Sequence, residues 1–293
     1  MMKKILLFLF FGFSFLMAKP VVSVSIAPQE FFVKKIAGDS VEINTLLPQN
    51  SDEHTFEFKA SHLSKLEKSD LYFTMGLEFE KVFLDKFKRN FPNLSIVNTQ
   101  KNIHFLEFEE EHEHHDHDHD HDHDHDHDHA KDIHTWLDPI LVKILATNIA
   151  TALKEKYPQN AKMYEANLQN FHKELESLNS QIDEELKGVK NRKFIVYHPS
   201  WAYFAKRYHL EQIPVEIAGK EPKISDLKRI IKKAREENIK VIFVQPGFPE
   251  NAARVLAKEC NAKIAMINHL SKEWDKELLE TTKALKRLFS ALF

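Results

Sequence analysis

Between His112 and His129 the chain reads HEHHDHDHDHDHDHDHDH, ten histidines set among carboxylates with nothing apolar between them. Imidazole nitrogen is a common ligand of Zn, Cu and Ni, so His112, His114, His115, His117, His119, His121, His123, His125, His127 and His129 are candidate weak metal sites. Such a run cannot bury apolar area, and a mobile, solvated loop over about residues 104–131 is expected. A flexible chain of that length reaches roughly 30 Å end to end, enough to arch over a cleft and raise the local metal supply. Its redundancy gives it no single geometry, so a defined site has to come from elsewhere.

Three isolated histidines offer one. His54 lies in SerAspGluHisThrPhe, His134 in AspIleHisThrTrpLeuAspPro and His198 in TyrHisProSerTrp. Each occupies a strand-to-helix loop or the start of a helix, and in open α/β sheets such loops gather beyond the carboxyl ends of the strands, where ligands bind. Three neutral imidazoles suit Zn²⁺, which takes four tetrahedral ligands; Glu53, beside His54, or a water is the fourth. A carboxylate-rich site would suit Mn²⁺ or Mg²⁺ instead. Phe56, Trp136, Tyr197 and Trp201 stand near these histidines in sequence and could exclude water. His62, His104, His172 and His209 read as surface groups.

The elements that must position these residues alternate. Strands are expected at Val21–Ile26, Val41–Leu47, Leu71–Met75 and Ser95–Asn98, with helices at Gln29–Ala37, Lys59–Lys68 and Glu78–Arg89 between them. Asp138 and Pro139 form an N-cap and N1 pair that starts a helix running to about Lys154. From Gln159 to Lys187 apolar residues recur at spacings of three and four, describing one helix of roughly 43 Å that Gly188 ends. Strands at Phe194–Tyr197, Ile213–Ile217, Lys240–Val244 and Ala262–Ile267 follow, with helices at Trp201–Arg207, Ser225–Glu237, Glu250–Cys260 and Lys272–Phe289. The fold class is α/β: two lobes, each a mostly parallel sheet flanked by helices, joined by one long linking helix. The expected division is a signal peptide over 1–18, an N-terminal lobe over 19–156, the linking helix over 157–189 and a C-terminal lobe over 190–293. His54 and His134 then belong to the first lobe and His198 to the second, and their convergence would lie in the interlobe cleft.

Composition agrees. A chain of 293 residues, 43% hydrophobic and 11% aromatic, can build two ordinary cores. The formal net charge of −3 conceals a division, because Glu109 to His129 holds eleven carboxylates and no Lys or Arg. The remainder is mildly basic, but its cations are scattered along helices without a nucleic-acid-binding pattern. Lys3 and Lys4 precede the apolar run Ile5–Met17, and Ala18 offers a small residue before Lys19, the layout of a cleaved secretory signal. The run is shorter than the ~20 residues that span a bilayer. The lone Cys260 cannot form an intrachain disulfide and reads as a small buried apolar residue.

GluHisThrPheGlu at 53–57, HisThrTrpLeuAspPro at 134–139, TyrHisProSerTrpAlaTyrPhe at 197–204, PheValGlnProGlyPhe at 243–248 and the acidic His-rich loop together resemble the zinc-binding solute-binding proteins of zinc ABC importers. The resemblance covers nearly the whole mature chain. It implies a periplasmic, monomeric, non-enzymatic protein that captures Zn²⁺ as transported substrate on His54, His134 and His198, with Glu53 or water completing the shell. It implies a membrane permease as partner, with a periplasmic metal chaperone as a further one. Manganese-preferring relatives carry a carboxylate at the third position and an Asp near the last strand, where this chain has His198 and Asn268; His269, next to the latter, has no assigned role. The alternatives are a manganese, nickel or copper protein or buffer that relies on the tract, and a zinc hydrolase with Glu53 as base, although the chain has no HExxH helix.

Overall fold

The computed structural model describes residues 18–107, 131–216 and 220–290. Residues 1–17 and 108–130, with nearly all of the expected signal peptide and all ten tract histidines, lie outside the described residues.

Strands β1 (Val21–Val24), β2 (Glu42–Thr45), β3 (Leu71–Thr74) and β4 (Ser95–Asn98) form a parallel sheet in the order β2-β1-β3-β4. Helices α1 (Ala27–Ala37), α2 (Ala60–Glu67) and α3 (Glu78–Asn90) connect them. β3 is buried along its whole length, as a central strand covered on both faces must be, whereas the edge strand β2 is partly exposed. The second sheet repeats the arrangement. β7 (Lys193–Val196), β8 (Glu211–Pro214), β9 (Val241–Val244) and β10 (Lys263–Met266) pair in parallel in the order β10-β9-β7-β8, with α6 (Ala202–Arg207), α7 (Ile224–Glu236) and α8 (Asn251–Cys260) as connections. In each sheet the chain reverses direction of travel beside its first strand, the switch point that opens a crevice at the carboxyl ends.

Between the sheets run α4 (Pro139–Lys156) and α5 (Ala161–Leu186). Asp138 caps α4 by accepting from the backbone N–H of Ile140 at 2.8 Å. α5 buries Tyr164, Leu168, Phe171, Leu175, Leu178, Ile182 and Leu186 as one stripe against α1, α4 and the last helix, α9 (Trp274–Ser290). The expected start at Gln159 falls in a 3-10 turn over Pro158–Asn160, and Gly188, at φ +76°, terminates the helix. α9, last in the chain, returns to the first half of the molecule, where Trp274 meets Phe32 edge-on at 5.0 Å between ring centroids.

Two elements differ from expectation. β8 begins at Glu211 rather than Ile213, because its backbone pairs in register with Lys193 from that residue; the alternating apolar residues marked the buried face, not the ladder. An antiparallel pair, β5 (Leu106–Glu107) with β6 (Lys131–Asp132), was not expected and closes the segment that carries the tract. One apolar core joins the first sheet, α1, α4, α5, α9 and one face of the second sheet; the other face of that sheet packs Ile195, Ile213, Ile242 and Leu256 under α7 and α8. Cys260 is buried there as a free thiol. Among the described residues no helix is long and apolar enough to cross a membrane.

Candidate metal centre

The loop after β2 carries Glu53 and His54, and its backbone is pressed by the other half of the molecule. Gly247, in the loop after β9 at φ +92°, leaves little room for a Cβ: an added carbon would lie 3.0 Å from the carbonyl oxygen of Asn50 and 3.1 Å from the amide of Asp52, so that backbone would have to give by a few tenths of an ångström. His134 precedes a 3-10 turn (Thr135–Leu137) that leads into α4. Gln100, just beyond β4, holds that turn by donating to the carbonyl of Ile133 at 2.7 Å and to the Thr135 hydroxyl at 2.9 Å. His198 follows β7, and Gln245, just beyond β9, grips its backbone on both sides, accepting from its N–H at 3.2 Å and donating to its carbonyl at 2.7 Å. Strand ends therefore place all three histidines, from both sheets, at one point.

Glu53, His54, His134 and His198 each present a ligand atom, and these atoms all lie within 4.8 Å of one another. His198 Nε2 is 3.2 Å from both His54 Nε2 and His134 Nε2. Glu53 Oε1 lies 3.3 Å from His134 Nε2, 3.6 Å from His198 Nε2 and 3.9 Å from His54 Nε2. The other nitrogen of each ring is held by a carboxylate: His54 Nδ1 by Glu78 at 3.1 Å, His134 Nδ1 by Asp132 at 2.7 Å and His198 Nδ1 by Glu216 at 2.9 Å. A carboxylate accepts there, so each Nδ1 keeps a hydrogen and Nε2 is the nitrogen turned to the centre, free to offer its lone pair to a metal once it carries no proton. Four donors of this kind, three nitrogen and one oxygen, match the tetrahedral N/O set of zinc.

The electrostatics follow from burial. Burial opposes charge on His134, but Asp132 and then Glu53 outweigh it and push its pKa up to about 9. For His198 burial wins over Glu216 and Glu53, and its pKa falls. Burial also opposes charge on His54, yet Glu78 and Glu53 raise its pKa. Burial likewise disfavours the Glu53 carboxylate, but the surrounding imidazoles, His269 foremost, hold its pKa well below the usual range. Glu53, His134 and His198 are buried, whereas the His54 side chain keeps 28% of its surface exposed, so His54 is the solvent-facing member of the cluster.

The structure thus brings together the four residues expected as ligands. The tract histidines lie outside the described residues. Of the expected aromatics, Trp136 stands 5.1 Å from His134 between ring centroids, but the ring that covers His198 is Phe248, stacked at 4.7 Å and 9°, which the sequence reading passed over. It also missed Glu78, Asp132 and Glu216; Asp132, two residues before His134, carried a local signal. His62, read as a surface group, is buried, and its Nδ1 accepts from the Lys59 N–H at the start of α2. His269, in the loop after β10, is buried and lies 2.7 Å through Nε2 from Glu53 Oε1.

Comparison with known proteins bears on what the centre belongs to. The high-affinity zinc uptake system protein ZnuA of Bacillus subtilis strain 168 is 30% identical over 274 residues, 90% of this chain and 84% of its own. A crystal structure of ZnuA superposes with a TM-score of 0.84 at 36% identity, over 93% of this chain and all of that one. A ZnuA deletion mutant solved with zinc bound gives a TM-score of 0.82 at 36% identity, over 92% of this chain and 98% of that one. The family profile for ZnuA, the periplasmic component A of the zinc-uptake complex, matches residues 22–285, from β1 into α9, and the chain belongs to that family.

Proposed function

We propose that this protein captures Zn²⁺ between its two lobes on His54, His134, His198 and Glu53 and delivers it to the membrane permease of an ABC importer. The observation that carries the reading is the orientation of the three imidazoles: each Nδ1 rests on its own carboxylate, so every Nε2 is turned to one shared point. The ligands come from loops of both sheets, which suits a centre that forms and opens as lobes move; a hydrolytic site is better built on one rigid unit. The working division is residues 19–156 and 190–293 as lobes and 157–189 as the link, with residues 1–18 removed on export to the periplasm and the protein acting as a monomer. The segment around 104–131 serves as a supplier, its ten histidines holding zinc weakly and raising its concentration at the centre; a periplasmic chaperone is a further source.

Excising residues 109–129 and titrating zinc tests both parts. One tight equivalent should remain and the weak ones disappear; His54→Ala, His134→Ala or His198→Ala should then each abolish the tight equivalent. If those three substitutions leave affinity intact while the excision removes it, the protein is a buffer built on the tract. Ester or peptide hydrolysis by the zinc-loaded protein, abolished by Glu53→Gln, would move the reading to a hydrolase.

A further inference from the structure

Four imidazoles surround Glu53, and one of them is wired differently. His54, His134 and His198 each rest Nδ1 on a carboxylate and point Nε2 at the shared centre. His269 reverses this: its Nε2 contacts Glu53 Oε1 at 2.7 Å, while its buried Nδ1 has no hydrogen-bond partner among the described residues. His134 Nε2 also lies near that oxygen, at 3.3 Å, but its ring hydrogen is held at Nδ1 by Asp132; in His269 only Nε2 has an acceptor among those residues, so the neutral ring carries its hydrogen there, and a nitrogen that carries a hydrogen has no lone pair to give a metal. His269 is also outside the set of mutually close donors formed by the other four residues.

The backbone that carries the ring is held in place. The carbonyl of His269 accepts from Trp136 Nε1 at 2.7 Å, Asn268 donates its N–H to Glu277 at 2.7 Å, and the Asn268 side chain accepts from the Leu270 N–H at 3.0 Å. Trp136 and Glu53 belong to the first half of the chain and His269 to the second, so the contact spans the cleft. Glu53 Oε1, the oxygen that His269 engages, is also the one nearest the other imidazoles, while Oε2 is buried without a hydrogen-bond partner among the described residues.

We propose that His269 is a positioning residue: it donates to Glu53 Oε1 across the cleft, fixes the carboxylate with that single oxygen toward the metal, and so sets four-coordination. The proposal rests on the zinc reading above. An unrestrained carboxylate can turn both oxygens onto a cation, and the coordination number would rise.

The experiment uses the full chain, its tract-excised form and Co²⁺ in place of Zn²⁺, because four-coordinate Co²⁺ absorbs visible light far more strongly than five- or six-coordinate Co²⁺. His269→Ala should weaken the tight zinc equivalent by about 10–100-fold, the range for losing a residue that orients a ligand, and should lower the cobalt absorption per bound ion. His269→Gln keeps a donor and should hold the cobalt spectrum, which a loss of folding alone would not allow. In a Glu53→Ala background, His269→Ala should have no further effect on affinity. The proposal is overturned if His269→Ala leaves both affinity and spectrum as in the parent, or if it weakens zinc by the same factor without Glu53, which would make His269 a ligand in its own right. Absence of any tight equivalent in the parent protein would instead count against the zinc reading itself.

Discussion

Asp132 binds His134 twice, accepting from its backbone N–H at 2.9 Å and from its Nδ1 at 2.7 Å, so one carboxylate sets both where the ring stands and which nitrogen keeps its lone pair. Asp132→Asn should therefore lower zinc affinity by about 10–100-fold with little change in fold, measured by competition with a chelator. The same carboxylate, with Glu53, raises the His134 pKa to about 9 against the opposing effect of burial. At pH 7 zinc must displace that proton, and titration calorimetry in buffers of different ionisation enthalpy should show its release, declining above pH 9. For the metal-free protein the sign is fixed: a folded-state pKa raised from 6.5 to about 9 gives stability that is complete below pH 6.5 and lost as pH rises through 9. The thermal midpoint of the apoprotein should therefore fall over that window, and His134→Ala should flatten the fall.

At the scale of elements, Gly247 is where a loop of one lobe meets the loop of the other at a distance tight for any side chain. Gly247→Ala has to push back the backbone of residues 50–52 and also strain a φ of +92°, so it should weaken zinc binding by displacing Glu53 and His54 while leaving His134 and His198 in place; chelator competition and the stability of the apoprotein separate the two effects. Asp138 does two tasks, capping α4 and receiving Arg207 through Nε and Nη2 at 2.8–3.0 Å. Asp138→Ala should cost about 1–2 kcal/mol in denaturant unfolding, mostly the cap, since Arg207 is partly exposed. Most of these elements could be read from the chain: the α5 stripe, the Asp138–Pro139 start and the apolar runs of β3 and β9 state their own conformation. The convergence of His54, His134 and His198 was legible too, since each follows a strand or opens a helix. Glu78 and Glu216 were not, because they lie 24 and 18 residues from the histidines they hold and a carboxylate near a strand end has no distinguishing pattern. His269 is 216 residues from Glu53, a pairing that only the packing of two lobes creates.

At the scale of the molecule, the two sheets share a strand order and face a common centre, with α5 and α9 packed along each other behind them. Lys286 of α9 pairs with Glu185 of α5 at 2.7 Å, and Trp274 packs on Phe31 and Phe32 of α1. Two long helices, α5 and α9, packed together in a continuous core resist wide hinge opening and favour small tilts of packed elements. X-ray scattering of metal-free and zinc-loaded protein should accordingly give nearly equal radii of gyration once residues 109–129 are removed. The ring of carboxylates has a kinetic consequence. Glu53, Glu78, Asp132 and Glu216 gather around one largely buried cluster of imidazoles, and such a group of carboxylates focuses its field toward the solvent-facing side, at His54. A divalent cation is drawn down that gradient before it touches a ligand, so raising ionic strength should slow the capture of zinc while hardly altering the rate at which bound zinc escapes.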